Sequence, residues 1–179
     1  DDEKFYDYQE ILEEYRDKVM TLYRKVCQLH EDVESISVFG ELCGGAYPHP
    51  DVHRIGRLTL IQKGVFYTPG HEFYGFDIYL FTKDGGYYLS VDETNALLEA
   101  ERFFYARSIF TGSLDDCLKH PNQFQSKIAE WLGLPAIDDN ICEGIVIRPV
   151  TPYYLRTGSR VLIKSKNEKF AEKKSSKRR

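Results

Sequence analysis

The sequence lacks the features of a membrane or secreted protein. It has no run of eighteen apolar residues, which a membrane-spanning helix would need, and its acidic start is unlike the basic start of a signal peptide. It also lacks a Cys-x-x-Cys pair and clustered histidines, so its four scattered cysteines indicate neither a zinc site nor a dense disulfide framework. We therefore predict a soluble protein of a reducing compartment, without a membrane partner.

Length and composition predict one domain with an aromatic-rich core. The 179 residues are 42% hydrophobic and include 13 Tyr and 11 Phe, which suit a strand-rich core but can also stack on nucleic-acid bases. The net charge is −4, yet residues 164–179 contain eight Lys or Arg against two Glu. This basic end is either a solvated tail or a contact for a phosphate backbone.

Apolar periodicity predicts an α+β fold with antiparallel β-sheets and peripheral helices. Residues 7–30 place apolar side chains three or four apart, which is typical of an amphipathic helix. Further along the chain, short apolar runs bounded by Gly and Pro predict strands at 36–42, 58–67, 73–81, 87–91, 105–110, 141–147 and 161–163. We expect a helical segment over residues 1–34, a core over 35–170 and a basic tail over 171–179.

Turn and capping signals add detail to this prediction. Hairpin turns at residues 83–86 and within 149–159 favour antiparallel pairing of the strands on either side. Short helices are predicted to follow Asp92, Ser113 and Pro121. The helices would then lie at the edges of an antiparallel core.

The first candidate functional segment places Glu41 among apolar strand residues, ahead of the pair Gly44 and Gly45. A carboxylate in such a position must find partners or stay neutral, because an unpaired buried charge is costly. A structural salt bridge is the simpler explanation, and a bound ligand is the alternative.

The second segment is Phe73 to Ile78. Strict alternation predicts Tyr74 and Phe76 on one face of a strand and Asp77 on the other, while Gly75 allows another group to approach closely. The same pattern also fits a plain core strand.

The third and fourth segments carry charge at strand positions. Glu143 shares a predicted face with two isoleucines, whereas Val146 lies on the opposite face, and the burial of an acid there is unexplained unless it binds something. In the fourth, a period of two puts Lys164 and Lys166 on one face, where their charges repel unless an anion lies between them. An exposed edge strand protected by lysine is the alternative.

Together and in this order, the four segments resemble the nucleotidyltransferase motifs III, IIIa, IV and V of the covalent ligase superfamily. The similarity is greatest to the RNA ligase 2 family, which includes phage RNA-repair enzymes and kinetoplastid RNA-editing ligases, and it extends over residues 36–170, including the linking stretch from Tyr105 to Leu134. The resemblance implies part of a nucleotidyltransferase domain of the ATP-grasp-like covalent ligase type. It also implies a cytoplasmic or mitochondrial location.

The resemblance assigns a role to each candidate residue. Phe76 would stack on one face of adenine, and Val146 would cover the other. Glu41 would accept hydrogen bonds from the ribose hydroxyls, and Glu143 would hold Mg²⁺ or orient the nucleophile. The pair formed by Lys164 and Lys166 would neutralise the α-phosphate. These roles imply an ATP- and Mg²⁺-dependent ligase that joins RNA 3′-hydroxyl and 5′-phosphate ends at nicked or bridged duplexes, alone or in an RNA-processing complex.

The nucleophilic lysine of that family is missing from the sequence. It belongs to a Lys-x-x-Gly motif upstream of motif III, but none of Lys4, Lys18 and Lys25 has Gly three places later. Lys83 does, yet it follows motif IIIa and lies in a predicted hairpin turn. We therefore expect a fragment that lacks the nucleophile and is inactive alone. The alternatives are a catalytically inactive nucleotide- or RNA-binding subunit and a relative of DNA ligases or capping enzymes.

Overall fold

The first element of the fold is a long amphipathic helix. The computed structural model describes residues 8–170, and helix α1 covers Tyr8–Leu29. Its buried side chains follow one another at intervals of four or seven residues, so they line one face: Ile11, Tyr15, Leu22 and Val26. This apolar face packs into the main core, and the predicted helix is confirmed.

Three antiparallel strands form the main sheet, in the order β1 (Val33–Gly44), β2 (His71–Thr82) and β3 (Gly85–Tyr88). One face of this sheet supplies the core, because Val38 pairs with the buried Ile78 and Ile36 pairs with the buried Leu80. The turn between β2 and β3 contains Lys83, which confirms the predicted hairpin.

Helix α2 (Val91–Ala100) closes the core next to the sheet. Ser90 caps its first turn, since the Ser90 Oγ accepts from the Glu93 backbone N–H and the Glu93 carboxylate accepts from the Ser90 backbone N–H. Leu97 and Leu98, near the other end of the helix, are buried in the core. A helix was predicted to follow Asp92, and the observed helix begins at Val91, one residue before Asp92.

Two shorter helices follow, α3 (Leu114–Lys119) and α4 (Ile128–Trp131). The predicted cap of α3 is confirmed, because the Ser113 Oγ accepts from the Asp116 backbone N–H at 3.2 Å. The helix predicted directly after Pro121 is wrong in its start. Residues 122–127 are irregular instead, and Gln125 forms an isolated antiparallel bridge with Ile141.

A second, two-stranded sheet lies near the end of the described chain. Its antiparallel strands are β4 (Gly144–Ile147) and β5 (Ile163–Lys166), and a 3-10 turn (Glu168–Phe170) follows. The basic tail predicted at 171–179 and the start of the predicted segment 1–34 lie outside the described residues. The α+β class with antiparallel sheets is confirmed. Of the helices within residues 8–170, none has the length and apolar character that crossing a bilayer requires.

Two predicted strands are wrong. Residues 58–67 belong to a long irregular segment, 45–70, which is attached to neighbouring elements by side-chain amides and by a few backbone hydrogen bonds. The Gln62 amide, for example, donates to the Leu42 carbonyl oxygen at 2.8 Å and accepts from the Gly44 backbone N–H. Residues 105–110 are also irregular, apart from one bridge between Tyr105 and Gly75.

Candidate functional site

The face of the main sheet opposite the core carries acidic and aromatic side chains. Phe39 and Glu41 lie two residues apart on β1, and their register partners on β2 are Asp77 and Tyr74. Because register partners share a face and side chains alternate along a strand, all four project to the same side. Glu41 is exposed and makes no ion pair within residues 8–170, so a structural salt bridge does not explain it.

A β-bulge at Phe76 corrects the predicted alternation. Phe39 pairs with Asp77, and the next residue on β1, Gly40, pairs with Gly75. Phe76 is therefore an extra residue without a partner on β1. Tyr74 and Asp77 therefore share a face, whereas strict alternation predicted opposite faces. A bulge bends its strand and changes the direction of a side chain, and such bulges are common beside active sites.

A cluster of ion pairs joins the bulge to the second sheet. Arg148 Nη1 and Arg160 Nη2 donate to different carboxylate oxygens of Asp77, the second at 2.6 Å. The side chains of the acid and of the two bases are only 11%, 17% and 13% exposed. Arg148 also donates to the Phe76 carbonyl oxygen at 3.0 Å, and Arg160 lies 4.0 Å from the centroid of the Tyr88 ring. No local sequence pattern predicted these contacts.

Strands β4 and β5 bring Val146 and the two lysines to one face. Val146 pairs with Lys164, and Gly144 pairs with Lys166. Val146 is 56% exposed and both lysines are exposed, in agreement with the predicted period of two. Arg148, two residues after Val146, reaches β2 and donates to Asp77 and to the Phe76 carbonyl oxygen at the bulge.

Gly144 permits the close pairing of these strands. Its φ is +149°, and a Cβ at this position would overlap the Ser165 carbonyl oxygen. Any larger residue would push β5 away or distort its backbone. Gly144 therefore helps to fix Lys166 beside the start of β4.

Tyr67 holds Glu143, the residue just before β4. The Tyr67 Oη donates to Glu143 Oε1 at 2.8 Å, and the Asn167 backbone N–H donates to the Glu143 carbonyl oxygen at 2.8 Å. Burial, and then the negative charge of Glu143 and this hydrogen bond, raise the pKa of Tyr67 far above its ordinary value of 10.0. Tyr67 thus remains protonated and continues to donate to the carboxylate.

The position of Tyr67 depends on a buried asparagine. Asn140, which is 3% exposed, accepts from the Phe66 backbone N–H at 2.8 Å and donates to the Phe66 carbonyl oxygen at 2.7 Å. The amide therefore satisfies both backbone groups of Phe66, as a neighbouring strand would. This clamp attaches the irregular segment 45–70 to the residues that precede β4.

Glu41 lies near two groups that burial keeps neutral. Burial, followed by the negative charges of Glu72 and Glu41, raises the pKa of the Cys43 thiol to about 12. Burial is also the main cause that raises the pKa of Tyr74. A thiol in this state is a poor nucleophile.

The structure brings the candidate residues together in two groups. Val146, Lys164 and Lys166 share one face of the second sheet, and Arg148 ties that face to Phe76. The other group is on the main-sheet side, where Glu41 pairs with Tyr74. Glu143 is linked to this side through Tyr67, whose pKa also responds to Tyr74.

Glu143 is the candidate ligand for a divalent metal. Within residues 8–170, no group of three His, Cys, Asp or Glu side chains could hold a metal ion by itself. A single carboxylate suits Mg²⁺, which keeps several waters and usually binds one or two carboxylates together with substrate phosphates. The donor set therefore fits Mg²⁺ held largely by a nucleotide, and it does not fit an all-protein cage.

Comparisons with known proteins point to one family. A sequence model of the RNA ligase family matches residues 2–166. The chain is 26% identical over 165 residues to RNA-editing ligase 2, mitochondrial, of Trypanosoma brucei brucei, with 82% of this chain and 40% of that protein covered. It is 28% identical over 178 residues to RNA-editing ligase 1, mitochondrial, of Trypanosoma brucei brucei, with 83% and 37% covered. The chain thus spans 37–40% of the length of these relatives.

Proposed function

The chain belongs to the RNA ligase family, and from this we propose that the intact protein is an ATP-dependent RNA ligase. The main support is the face of the second sheet, where Val146 lies opposite Lys164 and Arg148 ties the face to the bulge at Phe76. We infer that this apolar and cationic face and the Phe76 ring would line one site, which would suit a nucleotide whose base stacks and whose phosphate is anionic.

The proposed chemistry has three steps. A lysine attacks the α-phosphate of ATP and releases pyrophosphate, which gives lysyl-AMP. The AMP then passes to the 5′-phosphate of an RNA end, and the lysine is regenerated. Finally, an RNA 3′-hydroxyl attacks that 5′-phosphate and releases AMP, so the two ends are joined.

The described side chains would bind the adenosine. Phe76 would stack on one face of adenine, Val146 would cover the other, and the exposed Glu41 would accept hydrogen bonds from the ribose hydroxyls. The bulge matters for this arrangement, because it sets the direction of the Phe76 ring independently of its strand neighbours.

Lys164 and Lys166 would neutralise the α-phosphate during each transfer. Their spacing on β5 places two ammonium groups on one side of the strand. A preorganised charge of this kind stabilises the transition state by roughly 3 kcal/mol in comparable sites. Glu143 would hold Mg²⁺, which would supply positive charge at the phosphates, and Tyr67 would keep the carboxylate in place.

We further propose that the nucleophile is not among the lysines of this chain. Lys18 donates to the Arg102 carbonyl oxygen, Lys25 pairs with Glu101, and Lys83 lies in the β2–β3 turn beside Asp32. Lys4 lies outside the described residues. The chain alone is therefore expected to bind a nucleotide without forming a covalent adduct.

A second candidate function is a nucleotide- or RNA-binding subunit without catalysis. It uses the same side chains, and an intact protein that has no Lys-x-x-Gly motif would favour it. The intact protein would then bind AMP but never become adenylylated. Its role in a larger assembly would be to hold an RNA end.

Adenylylation and end joining test the proposed function. We expect the intact protein, incubated with ATP and Mg²⁺, to gain the mass of one AMP, and to seal a nicked duplex that has an RNA 3′-hydroxyl. The Lys164→Ala variant should lose both activities, and Lys127→Ala, at an exposed lysine before α4, should keep them. An unmodified protein that still binds AMP would favour the non-catalytic subunit. Equal sealing of DNA and RNA 3′-hydroxyl ends would favour a DNA ligase relative.

A further inference from the structure

The connection between β4 and β5 is a hairpin with an exposed aromatic tip. Residues 149–162, called here the 149–162 hairpin, are paired by the backbone: Val161 N–H donates to the Tyr153 carbonyl oxygen at 2.8 Å, and Leu155 N–H donates to the Ser159 carbonyl oxygen at 2.9 Å. Tyr153, Tyr154 and Leu155 are nevertheless 63%, 41% and 53% exposed. Three adjacent large side chains are left in solvent, although ordinary packing would bury them.

The base of this hairpin is fixed, so the exposed tip has a defined position. Arg160 donates to Asp77 and lies over the Tyr88 ring, and Val91 N–H donates to the Val150 carbonyl oxygen at 2.8 Å. These contacts come from the main sheet and from α2. The exposed tip therefore projects from a base that is held by the main sheet and by α2.

The charge of this region suits a nucleic acid. Residues 144–167 contain five Lys or Arg and no Asp or Glu, and Arg156 is exposed at the turn. Asp77 balances only one of the two positive charges that it binds, so the surface stays basic. Aromatic rings beside basic side chains are the combination that binds single-stranded nucleic acid, since bases stack on the rings and phosphates pair with the cations.

We propose that the 149–162 hairpin binds the RNA nucleotides next to the end that is joined, with Tyr153 and Tyr154 as stacking platforms. The inference rests on the proposed function. Lys164, the candidate phosphate ligand, is three residues from Val161 along an extended chain, or about 10 Å. RNA that extends from a phosphate at Lys164 would reach the hairpin within a few nucleotides.

The test measures RNA affinity of the 179-residue chain by fluorescence anisotropy, with a 5′-phosphorylated single-stranded RNA of mixed sequence. We expect Tyr153→Ala and Tyr154→Ala each to weaken RNA binding roughly 5- to 100-fold, because each removes one stacking surface. Tyr153→Leu should be weakened as much, since leucine keeps apolar area but cannot stack. Tyr87→Ala, at a tyrosine on β3 that is 41% exposed, is the matched control and should bind as the wild type does.

Salt dependence and nucleotide binding complete the experiment. Arg156→Gln should lower the slope of log affinity against log salt concentration by about 0.7, the value for one phosphate contact of a single strand. AMP affinity should be unchanged in all hairpin variants, which also shows that they are folded. If the two alanine variants bound RNA as tightly as the wild type does, the hairpin proposal would be overturned. Full RNA affinity of Tyr153→Leu would also overturn it, because an apolar contact and not stacking would then explain the exposed side chains. Failure of the proposed ligase function would be a separate result. It would appear as AMP affinity that is the same in Lys164→Ala as in the wild type.

Discussion

Phe76 has no register partner on β1, and its carbonyl oxygen is bound by Arg148 from the second sheet. The backbone at this residue therefore contacts both sheets. Such a position is unusual for a side chain whose purpose is only to fill the core, because a regular strand would bury it more simply.

We predict that Phe76→Ala weakens AMP binding by roughly 1–3 kcal/mol, since the alanine cannot stack on adenine. Isothermal titration of the chain with AMP measures the effect. Phe81→Ala removes a phenyl ring from the same strand at a position that is 42% exposed, and it should leave AMP affinity unchanged. If Phe76→Ala and the wild type bound AMP equally well, the stacking role would be contradicted, and Phe76 would have only a structural role.

Glu72 is a second residue whose environment matters, because its burial makes the stability of the fold depend on pH. Its carboxylate accepts from the Tyr15 Oη at 3.2 Å beneath α1, and burial raises its pKa above the ordinary value of 4.5. The folded state therefore binds a proton more tightly than the unfolded state does. This preference lowers the free energy of unfolding as the pH rises through the interval above 4.5.

We predict that Glu72→Gln removes this pH dependence. The variant keeps a hydrogen-bond acceptor for Tyr15 but has no charge to desolvate, so it should gain stability relative to the wild type as the pH rises from about 4.5 to 7. Urea unfolding at several pH values measures the difference. Glu99→Gln, at an exposed position on α2, should not show it. A constant difference between wild type and Glu72→Gln across this range would contradict the prediction.

Among the elements, β2 is connected to the second sheet by the ion pairs of Asp77. Arg148 and Arg160 reach it from the two sides of the 149–162 hairpin, and all three side chains are largely buried. Removing one partner of a buried ion pair is costly because the remaining charge stays desolvated. The two sheets should therefore lose both stability and alignment together if the acid is removed.

We predict that Asp77→Ala lowers the free energy of unfolding by about 3 kcal/mol, because it leaves two arginines without a counter-charge. It should also weaken AMP binding, since Arg148 would no longer hold the Val146 face toward Phe76. Urea unfolding and AMP titration give the two readouts. Asp84→Ala, at the exposed β2–β3 turn, is the control. A loss below about 0.5 kcal/mol, the range of ordinary surface substitutions, would mean that the cluster is not what joins the sheets.

The same elements show what could be predicted from the sequence. Helix α1 and the spacing of Lys164 and Lys166 followed from local periodicity, which depends only on residues close in sequence. The ion pairs of Asp77 could not be predicted, because its partners are 71 and 83 residues away and no local pattern marks them. The bulge at Phe76 was missed for a related reason, since register depends on the partner strand.

Residues 58–67, which lie in the irregular segment 45–70, were mistaken for a strand because many of them are apolar. The Asn140 amide binds the Phe66 backbone of this segment, and the Gln62 amide of the segment binds the Leu42 backbone of β1. A side-chain amide can replace a strand partner in this way without leaving a repeating pattern. Tyr67, which lies in this segment and binds Glu143, was missed with it. A polar side chain that is 3% exposed, such as Asn140, is the kind of structural signal that reveals such an arrangement.

At the scale of the whole molecule, positive charge is concentrated in one stretch of an acidic chain. The chain carries a net charge of −4, yet residues 144–167 contain five bases and no acids. A basic surface on an acidic protein concentrates a polyanion at one place and repels it elsewhere. The 149–162 hairpin and three residues of the candidate nucleotide site, Val146, Lys164 and Lys166, belong to that basic stretch.

The most direct test of the nucleotide site is a titration of the ¹⁵N-labelled chain with AMP and Mg²⁺, followed by NMR chemical shifts. We predict that the largest shifts occur in three places on the described chain: near Glu41 on β1 and Phe76 on β2, from Glu143 to Val146, and from Lys164 to Lys166. The weak affinity expected of an isolated chain is within reach of this measurement. Shifts confined to other surfaces, or to only one of the two sheets, would contradict a shared pocket for adenosine monophosphate.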